Sequence, residues 1–138
     1  MYDRLLVAVD HSEVSGRVLA AAKDLASLSK GKVWVLHLRE REVIAQLGRV
    51  PSESDNEAHQ AVEEGVGALK SAGSDAQGEV RDTEFGHAAR EIVTDATEHD
   101  ADVIIMGSRG RSDFAGALLG STAHKVIHLT DRPVLVVR

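Results

Sequence analysis

Val103-Ile104-Ile105-Met106-Gly107-Ser108-Arg109-Gly110 opens with four apolar residues and closes on a turn bracketed by two glycines. An unbroken apolar run of this length reads as a strand buried on both faces, which is the habit of a parallel sheet. Gly107 and Gly110 give the following turn freedom to take positive φ or to let a ligand approach the backbone. Gly116-Ala117-Leu118-Leu119-Gly120-Ser121-Thr122 follows, and Ala123, Val126 and Ile127 then recur at helical spacing. Ser121 and Thr122 therefore fall at a helix N-terminus, where unpaired N–H groups and the positive end of the helix dipole suit a phosphate. The joint pattern is Gly-x2-Gly-x9-Gly-Ser/Thr. It matches neither the P-loop, since no lysine follows Gly120, nor the Gly-x-Gly-x-x-Gly dinucleotide fingerprint. Taken singly, each of these residues is also ordinary turn and N-cap chemistry.

Outward from that loop, strands and helices alternate. Leu5-Leu6-Val7-Ala8-Val9 is a first buried strand with Asp10 at its end. Ser12 is the expected N-cap of a helix over about 13–29, with Glu13 favourable to its dipole and Gly31 as its C-terminal cap. Val33 to Leu38 is a second strand, so the opening unit is a right-handed parallel crossover. Residues 39–56 mix Glu40, Arg41, Glu42 and Arg49 with Gly48 and Pro51, and read as a long, partly mobile connection. A helix over about 57–72 follows, weakened by Gly65 and Gly67. An edge strand is expected over 77–83, and then a helix carrying Ala89, Ile92, Val93 and Ala96. Pro133 breaks the chain before a last strand, Val134 to Val137. Five strands alternating with four helices imply an α/β fold whose parallel sheet is covered on both faces. Ligands of such sheets sit beyond the C-terminal strand ends, where the strand order reverses. Asp10 would stand in that crevice, either as a helix-capping group or as a contact to a ribose hydroxyl or a magnesium ion.

Composition narrows the function. The chain has 138 residues, enough for one domain with an ordinary core, and is 43% hydrophobic and 28% charged. A net charge of −6 and 3% aromatic residues argue against a nucleic-acid partner. There is no cysteine, hence no disulfide framework and no thiolate metal site. No apolar run approaches the roughly 18 residues of a membrane helix. The first apolar run is too short for a signal-peptide core, so a cytoplasmic protein away from membranes is expected. His124 and His128 stand one helical turn apart, but Lys125 replaces the glutamate of a zinc-protease helix, and both read as exposed polar positions. His37 reads as a packed core histidine. Ser121 lacks the Gly-x-Ser-x-Gly elbow of a hydrolase nucleophile.

Leu5 to Glu13, Leu36-His37-Leu38, Ala101 to Gly110 and Pro133 to Val137 together resemble the universal stress protein family over essentially the whole chain. The resemblance implies one nucleotide-binding domain over 1–138, a Rossmann-like, adenine nucleotide alpha hydrolase-like sheet of strand order 3-2-1-4-5, and commonly a homodimer joined through the last strand. In that family Gly-x2-Gly-x9-Gly-Ser/Thr marks the ATP-binding members, and Gly107, Gly110, Gly120 and Ser121 complete it here. Position by position, the resemblance implies that Ala8, Asp10 and Leu38 frame adenine and ribose. Gly107, Ser108, Arg109, Gly110 and Arg111 would wrap ribose and inner phosphates, and Ser121 and Thr122 would hold the terminal phosphate. Asp10 would serve the accompanying Mg2+ (or Mn2+). His11 departs from the pattern, which favours a small residue there. The implied role is an ATP-binding, nucleotide-responsive stress-response module with an unidentified regulatory protein partner. The alternative is a slow ATPase or a nucleotidyl-transfer enzyme of the same fold. Besides Arg109, Arg111 and Asp10, no residue near the phosphates suits a catalytic role, which favours the module.

Overall fold

The computed structural model describes residues 1–44, 46–51, 53–109 and 119–138. Gly110, Arg111 and Gly116, named above, lie outside the described residues.

Among the described residues six strands and four helices follow in the order β1 (Arg4–Val9), α1 (Ser15–Ser29), β2 (Lys32–Ile44), β3 (Gly48–Pro51), α2 (Asp55–Ser71), β4 (Ala76–Glu84), α3 (Ala88–Glu98), β5 (Val103–Gly107), α4 (Ser121–Leu129) and β6 (Val134–Val137). The parallel part runs β4-β2-β1-β5-β6. That is the expected 3-2-1-4-5 order, because β3 is an addition: it pairs antiparallel with the far end of β2, Arg41 to Ile44 against Gly48 to Pro51. The expectation of five strands is thus corrected to six, and residues 39–51 are mostly strand rather than a loose connection. β4 occupies one edge of β2 up to Arg41, so β3 extends the other edge, beyond the point where β1 stops at Val9 opposite His37. The hairpin stands above the C-terminal edge of the sheet.

Alternation along the strands builds two cores. Leu5, Val7, Val9, Val33, Val35, Val103 and Ile105 pack against Val18, Ala22 and Ala26 of α1 and Leu69 of α2. Leu6, Leu36, Ile104 and Met106 meet Ala89, Ile92 and Ala96 of α3 and Ala123 and Val126 of α4 on the other face. Every central strand is covered twice, which is why its sequence runs apolar without a polar side. Among the described residues no helix is long and apolar enough to cross a membrane.

The helix ends differ from expectation in instructive ways. α1 starts at Ser15, not near Glu13, and Ser12 does not cap it. The Asp10 carboxylate accepts from the Ser12 N–H at 2.8 Å and from the Ser15 hydroxyl at 3.0 Å, holding residues 10–14 as a turn. At the other end Lys30, not Gly31, takes the left-handed conformation, with φ 59°. Gly31 is needed for a different reason: a Cβ there would lie 2.4 Å from the Tyr2 carbonyl oxygen. α2 begins two residues earlier than expected because Ser54 and Glu57 form a capping box. The Glu57 N–H donates to Ser54 Oγ at 3.2 Å, and the Ser54 N–H donates to Glu57 Oε2 at 2.8 Å.

Charged residues replace apolar ones where β2 and β4 leave the core. Arg39 and Asp82 are register partners and form a two-pronged ion pair at 2.6 and 3.0 Å, with Arg41 also on Asp82. The Arg39 guanidinium, seconded by Arg41, holds the Asp82 carboxyl below its usual range against the opposing effect of burial. A depressed folded-state pKa stabilises the fold above the unfolded value of about 3.9 and loses that contribution as pH falls through the folded value. Asp82 is 35% exposed, so solvent screening keeps the effect near that of a surface pair. Asp82→Asn is expected to cost about 0.5–1 kcal/mol at pH 7. In urea unfolding, the gap between wild type and variant should close once the pH lies below the folded-state value. A gap that persists there would mean packing, not charge, carries the contact.

Candidate functional site

A cavity of about 460 Å³ opens at the C-terminal ends of β1, β2 and β5, where the chain crosses from β1 to β2 on one side and β5 lies on the other. Its volume is within the ordinary range for small-molecule sites. Ala8, Val9, Leu36, Leu38 and Met106 form an apolar floor at the strand ends, and Ala88 and Ile92 come from α3. Asp10, His11, Ser12 and Ser15 line the mouth on the α1 side. Thr122 and Ala123, in the first turn of α4, close the opposite wall together with Gly107 and Arg109.

The residues singled out from the sequence divide three ways. Ala8, Asp10, Leu38, Gly107, Arg109 and Thr122 line the cavity together. Ser108, Gly120 and Ser121 are not among its lining residues. Ser108 is buried, and its N–H donates to the Val137 carbonyl at 2.7 Å, so that N–H is not available to a ligand. Its carbonyl accepts from the Gly120 N–H, which ties the end of β5 to the start of α4. Gly110 and Arg111 lie outside the described residues.

Neither Gly107 nor Gly120 takes the positive φ that glycine allows; the described glycines that do are Gly48, Gly73 and Gly86. A side chain on Gly107 would press on Val14, whose Cγ1 would lie 3.1 Å from the added Cβ. Gly120 caps α4 in an extended conformation, φ −70° and ψ 161°, that any residue adopts. What distinguishes it is the lack of a side-chain oxygen: no side-chain cap bond is made at this helix start among the described residues. The first-turn N–H groups of a helix have no partner within the helix, and they carry the positive end of its dipole.

Of the further wall residues, Phe85 and Glu53 escaped the sequence reading and His37 was read only as core packing. Phe85, 61% exposed, stands at the end of β4 on the rim. A bulky aromatic immediately before Gly86, at a strand end, was the available signal. Glu53 reaches the cavity from the residue just before the α2 capping box, and Ser54-Asp55-Asn56-Glu57 was the pattern that marked that helix start. His37 is a packed histidine as expected, 1% exposed with Nδ1 2.9 Å from the Val9 carbonyl oxygen, but its other ring nitrogen contacts Glu53 on the cavity wall. His124 and His128 are exposed and stack on each other with ring centroids 4.4 Å apart, away from the cavity lining.

Comparison with known proteins places this geometry. Universal stress protein YxiE of Bacillus subtilis is 34% identical over 148 residues, covering 100% of each chain. A universal stress protein of Archaeoglobus fulgidus, solved in complex with dAMP, superposes with a TM-score of 0.74 at 27% identity and covers 99% of this chain and 98% of its own. Another, solved in complex with cAMP, gives 0.73 at 26% identity, over 99% of this chain and 97% of its own. The profile of the universal stress protein family matches residues 1–138. The chain belongs to the universal stress protein family.

Proposed function

We propose that the chain binds an adenine nucleotide in the cavity at the strand ends, and that it acts as a nucleotide-responsive module of a stress response rather than as an enzyme. One observation carries this reading: a cavity of about 460 Å³ with an apolar floor at β1 and β2 and the first turn of α4, through Thr122 and Ala123, in its lining. Such a site offers a flat apolar surface to a base and N–H groups to an anion. The dAMP and cAMP complexes of other universal stress proteins support the choice of adenine. The completed Gly-x2-Gly-x9-Gly-Ser spacing supports ATP.

In this reading Ala8, Leu38 and Phe85 face the base and Asp10 the ribose or metal. The phosphates run from Gly107 and Arg109 toward Thr122 and the start of α4, and Ser108, whose N–H is held by Val137, takes no part. Mg2+ (or Mn2+) fits Asp10, which is a hard oxygen donor on the cavity wall, with the phosphates as its other ligands. The module is expected to hydrolyse ATP far below the median enzyme turnover of about 10 per second. A regulatory protein would read the nucleotide state from the loops around the mouth.

Mass spectrometry of small molecules released from the purified, denatured protein tests the reading. An adenine nucleotide near one per chain is expected. Finding none, and none retained after incubation with magnesium-ATP and desalting, would overturn it.

A homodimer through β6 belongs to the same proposal. Among the described residues β6 pairs only with β5, which leaves its outer edge open, and Leu135 on it is 41% exposed. Soluble proteins normally cover or charge such an edge. Light scattering at tens of micromolar is expected to give twice the mass of the 138-residue chain. The monomer mass at that concentration would count against the interface.

A further inference from the structure

On the cavity wall, Glu53 bridges two histidines. Its Oε1 contacts His37 Nε2 and its Oε2 contacts His11 Nε2. The three ligand atoms lie within 4.8 Å of one another, and the two imidazole rings stand edge to face with centroids 5.1 Å apart. Glu53 is 8% exposed and His37 1%, while the His11 side chain, 32% exposed, reaches in from the mouth.

The hydrogen-bond inventory of His37 makes this contact informative. Nδ1 sits 2.9 Å from the Val9 carbonyl oxygen, which only accepts, so Nδ1 carries the proton. In neutral imidazole Nε2 is then a lone pair, and the oxygen it touches belongs to a carboxylate, which also only accepts. Two acceptors face each other in a buried place, so either a proton lies between them or a metal ion takes both as ligands with the two atoms drawn apart. Arg39 is near enough for its charge to be felt by Glu53, but its guanidinium is committed to Asp82 and Asp55. The candidates are a shared proton and a metal ion.

We propose that His11, His37 and Glu53 form a transition-metal site, with zinc as its first occupant. Two imidazoles and one carboxylate are a recurrent zinc ligand set, and the ion is soft enough to prefer them where magnesium would demand oxygen. A backbone carbonyl accepting from the other ring nitrogen is the outer-shell partner that fixes a metal-binding histidine in the right tautomer, and Val9 supplies it. Three protein ligands leave one position of a tetrahedron open, and these three stand on the wall of the cavity. The site joins β1, β2 and the segment entering α2. It does not depend on the nucleotide reading.

The test is titration of the chelator-treated, nucleotide-free protein with Zn2+ against a chromophoric chelator, with Co2+ as a spectroscopic probe of tetrahedral geometry. One zinc per chain is expected, together with the intense visible bands of tetrahedral Co2+. His11→Ala and Glu53→Gln should each weaken binding by at least the about 10–100-fold that loss of an outer-shell partner costs. In Glu53→Gln the new side-chain amide can donate to His37 Nε2, so the segment stays in place, and circular dichroism checks that both variants fold. The double change His124→Ala and His128→Ala should leave the affinity unaltered. Wild type that binds no zinc would assign the cluster to a shared proton and overturn the proposal. Variants that bind zinc as tightly as wild type would overturn it equally, by moving the metal elsewhere.

Discussion

Ile104→Ala is expected to lower stability by about 2–5 kcal/mol, a large share of the margin an ordinary domain possesses. Ile104 is fully buried in β5, paired with Leu6 of β1 on one side and Val134 of β6 on the other. Its side chain belongs to the core shared with Ile92 and Ala96 of α3 and with Ala123 and Val126 of α4. Truncation removes three carbons from a place where strands on both sides and helices above prevent collapse, so the cavity term adds to the transfer term. Leu28→Ala, at a position 84% exposed, should change stability by no more than about 0.5 kcal/mol. Chemical denaturation of the two variants checks the contrast. Equal losses would mean that the face holding α3 and α4 is not the tightly packed core described here.

The residues that made β1, β5 and the core of β2 legible are the same ones that make this substitution costly. Leu5 to Val9, Val33 to Leu36 and Val103 to Met106 are apolar because two helical layers cover them, and a run covered on both faces can be recognised without its partners. The outer half of β2 could not be recognised that way. Arg39, Glu40 and Arg41 look like loop residues until Asp82, about forty positions on, supplies the cross-strand charge. No local pattern announces a partner that distant.

Helix starts failed for a related reason. Asp10, Ser12 and Ser15 all have capping chemistry, and three-dimensional competition gave the Ser12 N–H to the Asp10 carboxylate. In the lining, Asp10, Gly107 and Thr122 stood out because each sits at the end of a recognised strand or the start of a recognised helix, whereas Ala8 and Leu38 were named only through the family resemblance. Glu53 did not stand out, since its importance comes from His11 and His37, contributed by other segments of the chain.

The nucleotide reading carries the second large effect. A ligand that binds only the folded chain stabilises it by about 2.7 kcal/mol when present at about 100 times its dissociation constant. Magnesium-ATP at that excess should therefore raise the melting temperature by several degrees. Gly120→Val should remove most of the shift by placing a branched side chain beside the first turn of α4. The extended backbone at Gly120 suits valine, but the position is buried, so circular dichroism and the nucleotide-free melt check that the variant folds before the shifts are compared. Ser121→Ala should reduce the shift more mildly, by the roughly 0.5–1.5 kcal/mol of one hydrogen bond. The decisive measurement is the thermal melt of wild type and Gly120→Val with and without magnesium-ATP. Expected is a shift of several degrees for wild type and little for the variant; no shift in wild type, or an equal shift in both, would contradict a phosphate site at the start of α4.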